Sequence, residues 1–160
     1  MSITETILRE LQSAGVQSVR EPSGLLRTDG KRPDGSTLVP WTRSRCLIWD
    51  ATWPNTVAPS YVARSAVEAG TAAHASESKN ITKYLALTDK HDFVPVAIET
   101  LGTWGERGLA FINDVGRRVA AITGDNRSTA FLKQRMSLAV QRGNAAAVLG
   151  TFASSSEDDD

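Results

Sequence analysis

Several residue types that small metal-binding or secreted proteins depend on are almost absent from this chain. It has one cysteine, Cys46, and two histidines, His74 and His91, among 160 residues. A single cysteine excludes an internal disulfide and a zinc site built from several thiolates, and two histidines are too few for a histidine-rich metal centre. No apolar run approaches the roughly 20 residues of a membrane-spanning helix, and the N-terminus lacks the apolar core of a signal peptide. We therefore expect an intracellular protein with no membrane partner.

Net charge is absent as well, but the charges are unevenly distributed. The chain has 18 basic and 18 acidic residues, and its last four residues are all acidic. Residues 1–156 therefore hold 18 basic against 14 acidic residues, a formal charge of +4. A neutral total argues against an overtly basic nucleic-acid binder, and the basic body weakens that objection. We expect a single domain over residues 1–152 and a disordered acidic tail over 153–160.

Apolar patterns along the chain predict a single α/β domain with a small mixed sheet. Ser2 and Glu5 have the spacing of a capping box at the start of the first helix. Gly124 and Gly150 are placed to end the last two helices. The predicted elements are a helix at 2–14, short strands at 16–19, 25–26, 36–39 and 45–52, helical segments within 60–87, a strand at 93–100, and two C-terminal helices.

The strands at 36–39 and 45–52 are predicted to form a hairpin that carries the most informative residues. A turn centred on Thr42 places Asp34 opposite Asp50 on one face of the sheet. Opposed residues of an antiparallel pair have Cβ atoms ~4.5–5.5 Å apart, so the two carboxylates repel each other unless a cation lies between them. Carboxylate oxygens suit Mg²⁺ or Mn²⁺, ions that activate water against phosphate esters.

This interpretation depends on the register of the hairpin, because a slip of one residue moves one aspartate to the other face. In the alternative interpretation, Asp34 is a turn residue of the common Pro-Asp-Gly type and Asp50 is a solvated strand end. If the register itself is wrong, a structural domain without such a site is a third possible class. In the predicted register, Thr52 shares the face of Asp50 and could bind a ligand or water.

Three short motifs resemble the PD-(D/E)XK nuclease pattern. They are RPDG at 32–35, IWDAT at 48–52, and the helical Lys79 with Lys83-Tyr84. More narrowly, they resemble the restriction-endonuclease-like domain that accompanies the reverse transcriptases of some animal non-LTR retrotransposons. The predicted order of a helix, three strands, a helix and a fourth strand resembles that core, here followed by two C-terminal helices. The stretch 94–150 is also similar to retroelement-associated reading frames.

This resemblance implies a metal-dependent DNA endonuclease that hydrolyses phosphodiester bonds, located in the nucleus if the chain is a eukaryotic retroelement product. DNA is the implied partner, and a reverse transcriptase encoded by the same element is a further candidate. The resemblance also implies that Asp34, Asp50 and the Ala51 carbonyl hold Mg²⁺ or Mn²⁺. In the first helix, where such nucleases often contribute another carboxylate, Glu10 is the candidate, although an exposed surface acid is the favoured interpretation.

The chain departs from the family pattern at one important position. The family places a lysine two residues after the second acid, where this chain has Thr52. In some relatives a lysine on the following helix does the same job, and Lys79 and Lys83 are the candidates here. Ile81 and Leu85 are predicted to mark the apolar face, with the lysines roughly opposite, so a solvated basic face is the alternative. If neither lysine reaches the site, the domain is an inactive relative that acts as a nucleic-acid or protein interaction module.

Other side chains near the hairpin suit DNA binding. Trp41 could stack on a base, although packing against the sheet is the favoured interpretation. Basic residues near both ends of the hairpin suit contacts with phosphates. These residues are Lys31, Arg32, Arg43 and Arg45.

Overall fold

The computed structural model describes residues 2–22, 32–53, 70–100 and 102–157, with backbone only from residue 145 onward. These residues form four helices and four strands, and the α/β class with a small mixed sheet is confirmed. The elements are α1 (Ile3–Ser13), β1 (Ser18–Arg20), β2 (Gly35–Thr37), β3 (Cys46–Thr52), α2 (Thr71–Lys83), β4 (His91–Ala97), α3 (Glu106–Thr123) and α4 (Ser128–Glu157), with a short 3₁₀ turn (Leu85–Leu87) before β4.

The sheet has the strand order β1-β2-β3-β4. β2 runs antiparallel to β1 and β3, whereas β3 and β4 are parallel. A parallel pair needs a long crossover, and the chain that contains α2 supplies it. Pro95 lies within β4, at the edge of the described sheet, where a missing N–H donor is tolerated.

The predicted register of the hairpin is confirmed. Gly35 pairs with Trp49, and Ser36 pairs with Ile48. The Trp49 indole lies over Gly35, and a Cβ at that position would overlap the ring. Glycine at this point of β2 therefore leaves room for a large cross-strand neighbour.

The turn of the hairpin lies further along the chain than predicted. Thr42 and Arg45 form a bridge, and the two residues between them, Arg43 and Ser44, have φ values of 49° and 59°. Positive φ at both central residues belongs to a tight turn of the type I′ kind. The register survives because residues 38–40 lie outside the ladder and absorb the extra length.

The hydrophobic core is built mainly from the helix faces that the spacing of apolar residues predicts. The Ser2 capping box is present, and Gly124, with φ of 75°, ends α3. The sheet contributes Trp49, which packs against Phe111 of α3 with ring centroids 6.4 Å apart. The other members of this core include Ile3, Ile7, Leu11, Ile112, Val115, Leu132 and Met136.

Two buried carboxylates hold α2 in place. Glu77 of α2 accepts hydrogen bonds from the backbone N–H groups of Arg107 and Gly108, at 3.3 and 3.1 Å, and so caps the start of α3. Glu99, just after β4, accepts one from the N–H of Ala73 at the start of α2, at 3.2 Å. Negative charge is favourable at a helix N-terminus, where N–H groups lack partners within the helix. These contacts join α2 to α3 and to the end of β4.

The C-terminal helix is longer than predicted. α4 continues through Gly150 to Glu157, although we expected Gly150 to end it. An internal glycine costs a helix only about 1 kcal/mol relative to alanine, and the alanine-rich run at 145–147 favours the helix. Residues 153–157, predicted as disordered tail, have helical backbone. Residues 158–160 and the predicted strand at 25–26 lie outside the described part of the chain.

Across the described ranges, no helix has the length and apolarity needed to cross a membrane.

The Glu77 cap generates a test of the fold. An added Cβ at Gly105 would overlap the Glu77 carboxylate, so Gly105→Ala and Glu77→Ala disrupt the same cap. We expect each variant to lower the free energy of unfolding by about 1–3 kcal/mol. The double variant should lose clearly less than the sum, because the cap can be lost only once.

Urea denaturation monitored by circular dichroism would measure these free energies. Gly143→Ala is the matched control, since an added Cβ there makes only ordinary contact with Trp53. It is expected to stabilise α4 by up to about 1 kcal/mol. Strictly additive losses at Gly105 and Glu77 would show that the two residues do not share one cap.

Candidate active site

The two aspartates of the hairpin lie together at one end of the sheet. Extending the β2–β3 register by one residue places Asp34 opposite Asp50. The Asp34 carboxylate accepts a hydrogen bond of 2.6 Å from the backbone N–H of Ala51. Asp34 is half-buried, and Asp50 is buried, with 9% of its surface exposed. One hydrogen bond therefore fixes the Asp34 carboxylate on the backbone beside Asp50.

Alternation along β3 separates two sets of side chains. Trp49 packs against α3, so its strand neighbours Ile48 and Asp50 point to the opposite face. Thr52 shares that face, and its hydroxyl lies 2.8 Å from the hydroxyl of Ser76 on α2. The end of β3 that carries Asp50 therefore meets α2 through this pair of hydroxyls.

The candidate lysines lie on the side of α2 that carries Ser76. Lys79 and Lys83 follow Ser76 by three and seven residues, spacings that keep side chains on one side of a helix. Lys79 is exposed and Lys83 is half-buried. Both lysines therefore belong to the helix that contacts β3 through Ser76, and Lys83 is the less exposed of the two.

The face of α2 that is buried differs from the predicted one. Its buried residues are Ala72, Ala73, Glu77 and Asn80. Ile81 is only half-buried, and Leu85 lies in the following 3₁₀ turn with 61% of its surface exposed. The prediction that these two residues mark the apolar face is wrong, because two polar residues are buried in their place. The lysines border the buried face rather than lying opposite to it.

A cleft of about 210 Å³ opens beside Asp34. Asp34 and Ala51 line it together with Trp53, the first residue after β3. Its remaining lining residues are Ser2, Ile3, Thr4, Arg20 and Glu21. The N-terminus of α1, the end of β1 and the end of β3 thus enclose a space next to the Asp34 carboxylate.

Charges at the rim of this cleft are partly compensated. Arg20 lies 3.3 Å from Glu5, and both side chains are substantially exposed. The hydrogen bond from the Ser2 backbone N–H, and then the nearby Arg20, lower the pKa of Glu5. Arg32, two residues before Asp34, is exposed and donates to the Glu21 carbonyl at 3.4 Å. Arg20, at the end of β1, therefore lines the cleft, and Arg32 lies in the segment that leads to Asp34.

The basic residues of the hairpin divide between its two ends. Arg43 is exposed at the turn, roughly 20 Å from Asp50 at ~3.3 Å per strand residue. Arg45 is half-buried and donates to the Thr88 carbonyl at 2.9 Å. Arg32 lies at the end that carries the acids, and Lys31 lies outside the described residues. Of the predicted phosphate-binding residues, the described structure brings only Arg32 close to Asp34.

Glu10 is not the exposed surface acid that the sequence favoured. It is buried with 6% of its surface exposed, on the same face of α1 as Ile7 and Leu11, and it pairs with Arg135 of α4. A buried carboxylate is tolerated where a cation neutralises it. Among the described residues, α1 reaches the Asp34 cleft through its first turn, whereas Glu10 lies two turns further along.

Trp41 is buried, with 8% of its surface exposed. Its ring packs edge-on against Phe111, with centroids 5.8 Å apart, and the Arg118 guanidinium lies 3.4 Å from its ring centroid. The favoured prediction of a packing role is confirmed. Trp41 does not present a free face to a base.

Sequence reasoning missed two residues of this region, Trp53 and Ser76. Trp53 directly follows Ala51 and Thr52, and a large aromatic at that position was a usable signal. Ser76 carried no signal, since its contact with Thr52 depends on how α2 packs against the sheet.

The donor set fits a hydrated magnesium or manganese ion. Asp34, Asp50 and the Ala51 carbonyl supply two carboxylates and one carbonyl. Mg²⁺ keeps several waters and binds through one or two carboxylates, so a larger cage of protein ligands is not required. Within the described ranges, no group of three histidine, cysteine or acidic side chains could hold a metal.

No model of a known protein family matches the chain, and no curated protein matches it. Its function therefore has to be inferred from the geometry of the site.

Metal binding at this site predicts a thermal shift. An ion at ten times its Kd stabilises the folded state by ~1.4 kcal/mol, which raises the melting temperature of a chain of this size by about 3–6 °C. We expect Mg²⁺ or Mn²⁺ to produce this shift in the wild type but not in Asp34→Asn or Asp50→Asn, measured by differential scanning fluorimetry. The exposed Asp89 supplies the control, and Asp89→Asn should keep the full shift. Equal shifts in all four proteins would place the bound ion elsewhere.

Proposed function

We propose that this protein is a metal-dependent DNA endonuclease with a restriction-endonuclease-like core of the PD-(D/E)XK type. The observation that carries the proposal is the Asp34 carboxylate held on the Ala51 N–H, opposite Asp50. The order of a helix, three strands, a helix and a parallel fourth strand supports this core. The resemblance of the motifs to retroelement nucleases suggests a retroelement origin, with a reverse transcriptase of the same element as a candidate partner and the nucleus as the candidate location.

In this proposal Asp34, Asp50 and the Ala51 carbonyl hold Mg²⁺ or Mn²⁺. A divalent ion at such a site polarises the phosphate and lowers the pKa of bound water. The hydrogen bond from the Ala51 N–H orients one oxygen of the Asp34 carboxylate. Holding the carboxylates before substrate arrives reduces the reorganisation that the reaction would otherwise require.

A lysine from α2 would offset the negative charge that develops on the phosphate. Lys83 is the better candidate, because it is half-buried on the side of α2 that meets β3, whereas Lys79 is exposed. Thr52, at the position where the family has its lysine, is joined to Ser76. This pair of hydroxyls holds α2 against the end of β3. It therefore sets the position from which a lysine of α2 would have to reach the phosphate.

The proposed substrate is DNA, because both the chemistry and the charge distribution suit a phosphodiester. Arg20 ends β1 and lines the cleft with Asp34, and Arg32 lies two residues before Asp34. The chain before its acidic end carries a formal charge of +4. Arginines beside the acids would contact phosphates on either side of the cleaved bond. Affinity for DNA is accordingly expected to fall as salt rises.

One observation favours a second function. The hydroxyl of Thr52 is bonded to Ser76 at the position where an active relative has an amine. If Lys83 and Lys79 do not reach the phosphate, the same surface binds DNA or a protein without cleaving it. The alternative is thus an inactive nuclease-fold relative that serves as an interaction module.

Plasmid nicking in Mg²⁺ or Mn²⁺ separates the two functions. We expect the wild type to nick supercoiled DNA and Asp50→Asn or Asp34→Asn to lower the rate by about 100-fold or more, because the charge that holds the ion is lost. Lys83→Ala should slow nicking more than Lys79→Ala. Asp89→Asn, purified in the same way, should retain wild-type activity and so exclude a contaminating nuclease.

Nicking that is equal in the wild type and Asp50→Asn would refute the proposed site. Salt-sensitive DNA binding without nicking in either ion would instead establish the inactive module.

A further inference from the structure

Trp53 is exposed where the other tryptophans are not. The chain has four tryptophans, all among the described residues; Trp41 and Trp49 are buried and Trp104 is half-buried. Trp53 has 51% of its surface exposed. Its ring approaches α4 at Gly143, where even an added Cβ would lie 3.9 Å from the nearest indole carbon. The indole thus lies near α4, and about half of the Trp53 surface is exposed to solvent.

The position of Trp53 links it to the proposed site. It follows Thr52 directly and lines the cleft of about 210 Å³ that Asp34 and Ala51 also line. Two of the three residues proposed to hold the ion therefore line the same cleft as Trp53. Arg20 lines this cleft as well. An aromatic surface, an acid and a cation thus border one space.

This combination matches a nucleotide better than a purely apolar ligand. The cleft has the volume of about seven waters at ~30 Å³ each, so a planar ring has room in it. Aromatic side chains bind bases by stacking, and every base offers a π face. Arg20 supplies a charge for the phosphate on the same nucleotide. Asp34 would then lie beside the phosphate that the ion activates.

Stacking on an indole requires a base whose face is free. In a fully paired duplex each base is covered by its neighbours, and enzymes that need the base must use single strands or flip it out. A tryptophan in the cleft beside Asp34 could therefore not stack on the bases of an intact duplex. It suits a strand whose base is unpaired close to the cleaved bond.

We propose that Trp53 stacks on an unpaired base next to the scissile phosphate, so that the preferred substrate is DNA with an unpaired nucleotide, such as a single strand or a bubble. This inference rests on the proposed nuclease function for the position of the phosphate. The stacking contact itself requires no cleavage and can be measured without a metal ion.

Fluorescence anisotropy in EDTA tests the inference directly. Labelled single-stranded DNA, the same sequence as a full duplex, and that duplex with a central mismatched bubble are titrated with each variant. Trp53→Ala should bind the single strand and the bubble about tenfold more weakly, given the typical contribution of one stacked base. Binding to the full duplex should change less than twofold. Trp53→Phe, which keeps an aromatic face, should retain most of the affinity for the single strand.

The matched control is Phe131→Ala, which removes an exposed aromatic of α4 that does not line the cleft. It should leave all three affinities unchanged. Intrinsic fluorescence gives a second readout that does not require the alanine variant to fold. Single-stranded DNA should quench the wild type more than Trp53→Phe, because stacking on a base quenches the indole.

The outcomes separate this inference from the proposed function. Equal weakening on all three DNAs, or no weakening, together with equal quenching of the wild type and Trp53→Phe, overturns the stacking role even if Asp50→Asn abolishes nicking. Weakening confined to unpaired DNA supports stacking, even if Asp50→Asn still nicks and the nuclease site is thereby refuted.

Discussion

The pairing of β2 with β3 is the constraint on which the rest of the site depends. A shift of one residue would move the Asp34 side chain to the other face of the sheet, so that the two aspartates would no longer lie together. The Trp49 indole over Gly35 resists such a shift, because any other residue of β2 would bring a Cβ into the ring. Trp49 is also held from the other side by Phe111. The same packing that forms the core thus sets the position of the two acids.

The buried acids Glu77 and Glu99 extend this order from the sheet to α2. Their carboxylates accept N–H groups at the starts of α3 and α2, so the crossover helix cannot rotate or slide without leaving helix ends unpaired. Lys79 and Lys83 belong to that helix. Their position relative to β3 is therefore set by these caps and by the Thr52–Ser76 contact.

Local signals in the sequence predicted much of this molecule. The Ser2–Glu5 cap, the end of α3 at Gly124 and the hairpin register each depend on residues close together in the chain, where a turn or a cap imposes the geometry. The turn position was wrong because two residues with positive φ replaced the expected centre. The end of α4 was wrong because flanking alanines carry the helix through Gly150.

Contacts between distant segments account for the burial and neighbours that sequence patterns missed at the candidate site. Glu10 looks like a surface acid until Arg135, on the last helix, is brought against it. In the sequence, Trp53 is only the residue that follows a strand. In the structure, residues of α1, β1 and α4 lie near it, and about half of its surface is exposed in the cleft beside Asp34. Periodicity reports which face of an element is apolar, but it does not report which element will cover that face. Residue chemistry and hairpin pairing were therefore readable from the chain, whereas burial, neighbours and access followed from packing across long separations.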